Sequence, residues 1–136
     1  AAIQEIVGKN DLQDRVIFVP AVGNVGDWYD AADVFVLSSR YEGMPNVLLE
    51  AMASGRCCVC FDCPTGPRDL VLHGENGILV PDGDLDELQR ALMRVMDDEE
   101  LRSRLGRSAT AVRKSHAPDR IMKLWEDAII GQERHA

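Results

Sequence analysis

Three short apolar runs, separated by segments with helical signals, constrain the fold more than any other feature of this sequence. They are "DVFVLSS" at 33–39, "RCCVCFD" at 56–62 and "ILVP" at 78–81. Each is apolar almost throughout, as is typical of strands covered on both faces. Strands that alternate with helices pair in parallel through right-handed crossovers. The sequence therefore predicts an α/β fold, a parallel sheet with flanking helices.

The first half of the chain carries further signals for secondary structure. The β-rich run "DRVIFVPA" predicts an earlier strand at 15–20, and "VGDWYDAA" predicts a short helix or turn. In "PNVLLEAMASG" a helix is expected, with Asn46 as its N-cap or Pro45 as its first residue, and with Gly55 just past its end. The segment "GPRDLVLHGENG" predicts a short helix followed by two glycine turns.

The carboxyl-terminal third of the chain is predicted to be helical. Asp84 can cap a first helix. Apolar residues at helical spacing mark three helices: Leu85, Leu88, Ala91, Leu92, Val95 and Met96, then Leu101, Leu105, Ala109 and Val112, then Ile121, Leu124, Trp125, Ala128 and Ile129.

Size and charge limit the classes of function. The 136 residues, 46% of them hydrophobic, suffice for one core. No apolar run approaches the length of a bilayer and the first residues lack a signal peptide, so we expect a cytoplasmic protein. The net charge of -8 argues against nucleic acid as a partner, since a nucleic-acid binder needs a basic surface. A small anionic ligand at a helix N-terminus remains compatible with this charge.

Three groups of residues each allow a functional and a purely structural interpretation. The cysteines at 57, 58, 60 and 63 could hold a metal, but an apolar "CCVCF" run favours a buried strand. The aspartates at 82, 84 and 86 could bind a metal as "DGD" or "DLD", but they flank a helix start, where aspartate is common. The basic residues Arg102, Arg104, Arg107, Arg113 and Lys114 could meet a lipid phosphate, but a solvated helix face is favoured. Because the structural interpretation is favoured for both the cysteines and the aspartates, no metal is expected.

The loop "SSRYEGMPN" is the main candidate for a binding site. It follows a predicted strand and precedes a helix, the edge where open α/β sheets bind ligands. Gly43 allows a turn, and the free amides of the helix start suit a phosphate. Glu42 before the helix and Glu50 within it accept hydrogen bonds, so hydroxyl groups are their natural partners. A nucleotide sugar has hydroxyls at both ends and phosphate between. Two glutamates can also merely stabilise the helix dipole, by about 0.3–1 kcal/mol each.

The stretches "SSRYEGMPNVLLEAMASG" and "FDCPTGPRDLVLHGENGILVPDGD" resemble the carboxyl-terminal part of glycosyltransferase family 4, retaining enzymes of the GT-B fold, over about residues 10–130. The resemblance implies a Rossmann-like sheet and a donor site. In it Glu42 contacts the donor sugar and Glu50 the ribose hydroxyls. Backbone amides bind the diphosphate, which implies Met44, Asn46, Val47 and Leu48, with Gly43 and Gly66 in the same site. The chain departs from the family pattern at Thr65, where glycine is common, and at Asp69, where glutamate is common.

The resemblance also implies that the chain is a fragment, residues 1–136 being the second half of a donor-binding domain without its first strands or the acceptor domain. The expected reaction is transfer of a sugar from a nucleoside diphosphate to an acceptor hydroxyl with retention of configuration, in the synthesis of a cell-surface polysaccharide or glycoconjugate. No cofactor is expected. A sugar or lipid-linked acceptor would bind through the absent domain, and the parent could associate with the inner face of the membrane. The fragment alone is expected to be inactive and to self-associate.

Two other functions stay open at this point. A sugar-nucleotide epimerase of similar architecture would bind the same donor but release a free sugar. A non-catalytic fragment would bind a nucleotide weakly, or only another chain.

Overall fold

The computed structural model describes residues 2–133 of the chain, which form eight helices and three strands. In chain order these are α1 Ala2–Lys9, α2 Val25–Ala31, β1 Val34–Leu37, α3 Asn46–Ala53, β2 Cys57–Asp62, α4 Pro67–Leu70, β3 Ile78–Pro81, α5 Leu85–Asp97, α6 Glu99–Ala109, α7 Val112–Ser115 and α8 Pro118–Glu133.

The three strands form one parallel sheet in the order β1-β2-β3. Val36 lies opposite Val59 in the first pair, and Val59 lies opposite Ile78 in the second. Helices α3 and α4 connect the strands, as right-handed crossovers between parallel neighbours require. The predicted α/β class, the parallel pairing and the three interleaved strands are confirmed.

Apolar helix faces cover both faces of the sheet, and the middle strand β2 contributes to both cores. Its side chains alternate, as successive residues of a strand must. Cys58 and Cys60 belong to the core formed with α3, whereas Cys57 and Val59 belong to the core formed with α5 and α6. This two-sided burial explains why the β2 sequence is apolar throughout.

All four cysteines are buried, which confirms the interpretation of "CCVCF" as a core strand. Burial raises the pKa of Cys57 to about 11 and the pKa of Cys60 to about 12. At neutral pH these side chains are therefore protonated thiols, which behave as small apolar groups.

The strand predicted at 15–20 is wrong. Residues 16–22 form neither helix nor strand, and Ile17 is 80% exposed. In the doubly wound order 3-2-1-4-5-6 a third strand pairs with the second strand and not with the fourth. The described residues contain no other strand before β1, and β1 pairs only with β2, so this segment has no second strand with which to pair. The helix α1, which the sequence did not predict, precedes the segment.

The capping of the carboxyl-terminal helices follows the sequence closely. The Asp84 side chain accepts a hydrogen bond from the Glu87 amide at 2.9 Å, and Asp98 does the same for Leu101 at 2.8 Å. The apolar stripe predicted on α5 is partly wrong, because Leu85 and Met96 at its two ends are exposed. Val112, the last residue predicted for the helix after α5, is buried. It lies in the separate helix α7, after a turn, and not in α6.

The last helix, α8, is present as predicted but is largely uncovered. Leu124, Trp125 and Ile129 are each more than half exposed. None of the helices within residues 2–133 combines the length and the apolar character needed to cross a bilayer.

Candidate functional site

The candidate site lies at the carboxyl end of β1, where the chain passes through a loop into α3. Helix α3 begins at Asn46, and Pro45 occupies the N-cap position with a φ of -78° and a ψ of 87°. Both sequence-based expectations for this helix start are therefore off by one residue. Proline has no amide hydrogen, but its carbonyl can still accept the first hydrogen bonds of a helix. The Pro45 carbonyl accepts them from the amides of Leu48 and Leu49, at 3.0 and 3.1 Å, which makes Pro45 the N-cap. At the other end of α3, Gly55 adopts a φ of 74°, as expected of a glycine past a helix end.

These bonds separate the amides expected to bind phosphate into two groups. The Leu48 amide is engaged by Pro45 and its residue is fully buried, so we leave Leu48 out of the donor set. The amides of Gly43, Met44, Asn46 and Val47 have no hydrogen-bond partner within residues 2–133.

All four residues with free amides are exposed. Amides without partners at the positive end of a helix dipole are suited to an anion. The start of α3 and the loop before it therefore present several donors that the described chain does not use.

Glu50 lies one turn into α3, on its exposed side. Its Oε2 atom accepts a hydrogen bond from the hydroxyl of Tyr29, at 3.0 Å. The same hydroxyl lies 3.2 Å from the carbonyl oxygen of Val47. Glu50 also borders a cavity of about 350 Å³ between α3, α7 and the start of α8, whose lining includes Leu49 and His116. A ligand hydroxyl at Glu50 would thus have room beside it.

Glu42 stands at the other side of the loop, half-buried, before the start of α3. Its carbonyl oxygen accepts a hydrogen bond from the Thr65 hydroxyl. Thr65 is one of the two residues that depart from the family pattern, and here it ties the loop after β2 to the loop after β1. The Glu42 side chain has no hydrogen-bond partner within the described part of the chain, which leaves its carboxylate available to a ligand.

Gly66 is buried against the same loop. A Cβ atom at this position would lie 2.5 Å from the carbonyl oxygen of Gly43 and 2.9 Å from Pro45 Cδ, and the φ of Gly66 is 90°. Its amide hydrogen points to Asp69 Oδ2 at 3.3 Å. Gly66 therefore supports the donor loop by close backbone packing, and Asp69 braces the start of α4.

The basic residues on α6 and α7 do more than cover a solvated surface. Arg102 donates to the carbonyl of Val95 at the end of α5, and Arg113 donates to the carbonyl of Ala53 at the end of α3. Arg104 donates to the carbonyl of Gly74. These arginines close helix ends and turns, where carbonyl groups need donors.

Sequence reasoning did not identify Tyr29 as part of this region, and it named Thr65 only as a departure from the family pattern, without its contact to Glu42. The sequence signal for Tyr29 is weak. It is a side chain with a polar hydroxyl, in a short helical segment that precedes a predicted strand. Both residues act through contacts with positions 18 to 23 residues away. Residue spacing within one helix or loop does not predict contacts between residues so far apart in the sequence.

Comparisons with known proteins identify the family and the fold of this chain. The family model described as "Glycosyl transferases group 1" matches residues 1–98. A protein named exopolysaccharide phosphotransferase from Streptomyces coelicolor is 40% identical over 126 residues, which are 92% of this chain and 13% of that protein. The amylovoran biosynthesis glycosyltransferase AmsD of Erwinia amylovora is 30% identical over 130 residues, 95% of this chain and 36% of the relative.

Among solved structures, that of Anabaena HepE in complex with UDP superposes with a TM-score of 0.83 at 22% identity, over 93% of this chain and 36% of that chain. This likeness shows the GT-B fold. The chain thus spans about a third or less of these proteins. The family match, which covers residues 1–98 and so more than half of the chain, shows that the chain belongs to the group 1 glycosyl transferases.

Proposed function

We propose that this chain is the donor-binding part of a retaining glycosyltransferase that transfers a sugar from a nucleoside diphosphate to an acceptor hydroxyl, in the synthesis of a polysaccharide or glycoconjugate. The observation that carries the proposal is the open start of α3, where the amides of Asn46 and Val47 have no partner among the described residues and the exposed Glu50 follows one turn later. The names of the relatives support the polysaccharide context. The term phosphotransferase comes from a protein of which this chain matches only 13%, so we do not extend it to this chain.

In the proposed site, each part of a nucleotide sugar meets a different group. The diphosphate accepts hydrogen bonds from the loop and helix amides at 43, 44, 46 and 47. The ribose hydroxyls donate to Glu50, and the sugar hydroxyls donate to Glu42. UDP is the nucleotide in the Anabaena structure, which makes it the first nucleotide to test here.

The same arrangement would assist the chemistry. Negative charge grows on the diphosphate as the bond to the sugar breaks, and amides already directed at the phosphate stabilise that charge without rearranging. Glu42 would orient the sugar as it becomes oxocarbenium-like, and the leaving phosphate would help to take the acceptor proton. We propose that the anomeric configuration is retained, and determination of the product anomer by NMR tests this.

Substitution of the two glutamates in the longer parent protein tests the assignment of roles. Glu50→Ala should weaken nucleotide binding tenfold or more, because a hydrogen bond to a charged group contributes about 1.5–3 kcal/mol. Glu42→Ala should lower the rate of sugar transfer by a similar factor while free nucleoside diphosphate still binds. Glu75→Ala, in an exposed turn outside the site, serves as the control. Full activity of both site variants would overturn the proposal, and release of free sugar without an acceptor would favour an epimerase.

We further propose that the reaction needs no divalent metal, since amides and a cation elsewhere in the parent would serve the diphosphate. Turnover should persist in excess chelator. Complete loss of turnover that magnesium or manganese restores would contradict this. The aspartates at 82, 84 and 86 would then become candidate metal ligands.

We also propose that the chain alone is inactive and self-associates, and that the parent works on the cytoplasmic side. Strand β1 pairs only with β2 within residues 2–133, so its other edge is free, and Val36 is 40% exposed. Free strand edges and bare apolar faces favour association. Light scattering should show species larger than the monomer, whereas a stable monomer that transfers sugar would contradict both statements.

A further inference from the structure

Tyr29 connects α2 to the candidate site on α3. Its ring is buried, with 6% of the residue exposed, and meets the ring of Phe35 edge-on at a centroid distance of 5.9 Å. The hydroxyl emerges from this packing and lies 3.0 Å from Glu50 Oε2. The ring is thus held by the core, and its polar tip reaches the exposed carboxylate.

Glu50 has little else to hold its side chain. It is exposed on α3, and the bond from Tyr29 is its only side-chain hydrogen bond within residues 2–133. A long carboxylate side chain that must be ordered by a ligand costs conformational entropy at the moment of binding. Because the Tyr29 hydroxyl is held in place, its hydrogen bond orders the Glu50 side chain before any ligand binds. The other carboxylate oxygen, Oε1, remains available.

The same hydroxyl also lies 3.2 Å from the carbonyl oxygen of Val47, so its single proton is shared between the two acceptors. The amide of Val47 is one of the free donors at the start of α3. Burial, followed by the bond to Glu50, raises the pKa of Tyr29 to about 12, so the hydroxyl remains a donor throughout the neutral range. One side chain therefore contacts both the carboxylate and the first turn of the helix.

We propose that Tyr29 is a positioning residue that orients Glu50 for the ribose hydroxyls of a nucleoside diphosphate. The inference rests on the proposed function, because it assigns Glu50 to the ribose. Tyr29 itself does not touch the ligand. Its contribution should therefore appear only with ligands that carry the hydroxyls recognised by Glu50.

The test is a titration of the longer parent protein with UDP, GDP and ADP, followed by the 2′,3′-dideoxy form of whichever nucleotide binds most tightly. Tyr29→Phe keeps the ring and its contact with Phe35, and thermal unfolding of the variant checks that the fold is intact. The variant should bind the diphosphate about three- to tenfold more weakly, because the ligand itself must then order the Glu50 side chain. The variant and the unsubstituted parent should bind the dideoxy analogue with affinities that agree within twofold. In a Glu50→Ala background, Tyr29→Phe should have no further effect.

The outcomes separate this inference from the function on which it rests. If Glu50→Ala weakens binding but Tyr29→Phe does not, the positioning role is wrong and the proposed function stands. Equal losses for both ligands in Tyr29→Phe would mean that Tyr29 is only a structural residue. If no nucleoside diphosphate binds, or if Glu50→Ala changes nothing, the proposed function fails and this inference fails with it.

Discussion

The two ends of α3 differ in how the chain satisfies their backbone groups. At the carboxyl end, Arg56 donates to the carbonyl of Ser54 through Nε and Nη2, at 3.0 and 2.9 Å, and Arg113 donates to the carbonyl of Ala53 at 2.6 Å. At the amino end, the amides of Asn46 and Val47 have no such partner in the described range. Every helix leaves orphan groups at both ends, so the difference is a property of this sequence. The closed end serves stability, and we infer that the open end is reserved for a ligand.

A buried glycine approaches the backbone near each end of α3, which gives a matched pair of substitutions. A Cβ at Gly66 would lie 2.5 Å from the Gly43 carbonyl oxygen beside the open end, and a Cβ at Gly106 would lie 2.3 Å from the Gly55 carbonyl oxygen beside the closed end. Both contacts are too short for any real side chain, so each position depends on glycine.

The largest expected effect comes from alanine at these two positions. Gly66→Ala combines strain at a positive φ with overlap, and Gly106→Ala adds overlap within a helix, so each should lower the free energy of unfolding by about 1–3 kcal/mol or more. Only Gly66→Ala should also reduce nucleotide affinity, because it displaces the loop that carries the free amides. Denaturant unfolding and nucleotide titration of both variants measure the two effects. Equal loss of affinity in both would show that the two ends do not have separate roles.

A second pair of substitutions removes a single amide from the open end. Asn46 is the first residue of α3, a position where proline is well accommodated. Asn46→Pro should leave stability nearly unchanged but lower the affinity for a nucleoside diphosphate about tenfold, since a charge-assisted bond to phosphate is lost.

Asn46→Ala keeps the amide and is the control for the loss of the asparagine side chain. Equal affinities of the proline variant and the alanine variant would indicate that this amide does not bind phosphate. Calorimetric titration is the suitable measurement for both.

The closed end should show the opposite pattern, with a smaller effect. Arg56 is half-buried and also donates to the carbonyl of Ala32, at 3.0 Å. Arg56→Ala leaves the carbonyls of Ala32 and Ser54 without these donors and should lower the free energy of unfolding by about 1–2 kcal/mol. Nucleotide affinity should remain within twofold, and a larger change would mean that the two ends are coupled.

The sequence predicted the sheet well because its strands carry strong local signals. The apolar runs around Val59 and Val80 are buried from both sides, and that requirement is visible in the residues themselves. The run of β1 is covered less fully, since Val36 is 40% exposed. The run containing Ile17 has the same local character but forms no strand, because strand formation also needs a partner strand.

The candidate site was predicted only in part. The positions of Glu42 and Glu50 follow from the loop and helix pattern. The exclusion of Leu48 from the donor set could not be foreseen, since it depends on which amides the Pro45 carbonyl accepts. The contact between Tyr29 and Glu50 joins two helices that are separated by a strand and a loop, and only the fold brings them together.

The central claim, that the open end of α3 binds the diphosphate, is tested most directly by NMR on the isotope-labelled parent protein. Amide signals are followed as UDP, GDP or ADP is added. The account predicts that the largest shifts occur at Gly43, Met44, Asn46 and Val47, with little change at Ser54 and Arg56. Shifts concentrated at the arginine-rich closed end, or no shifts with any of the three nucleotides, would contradict it.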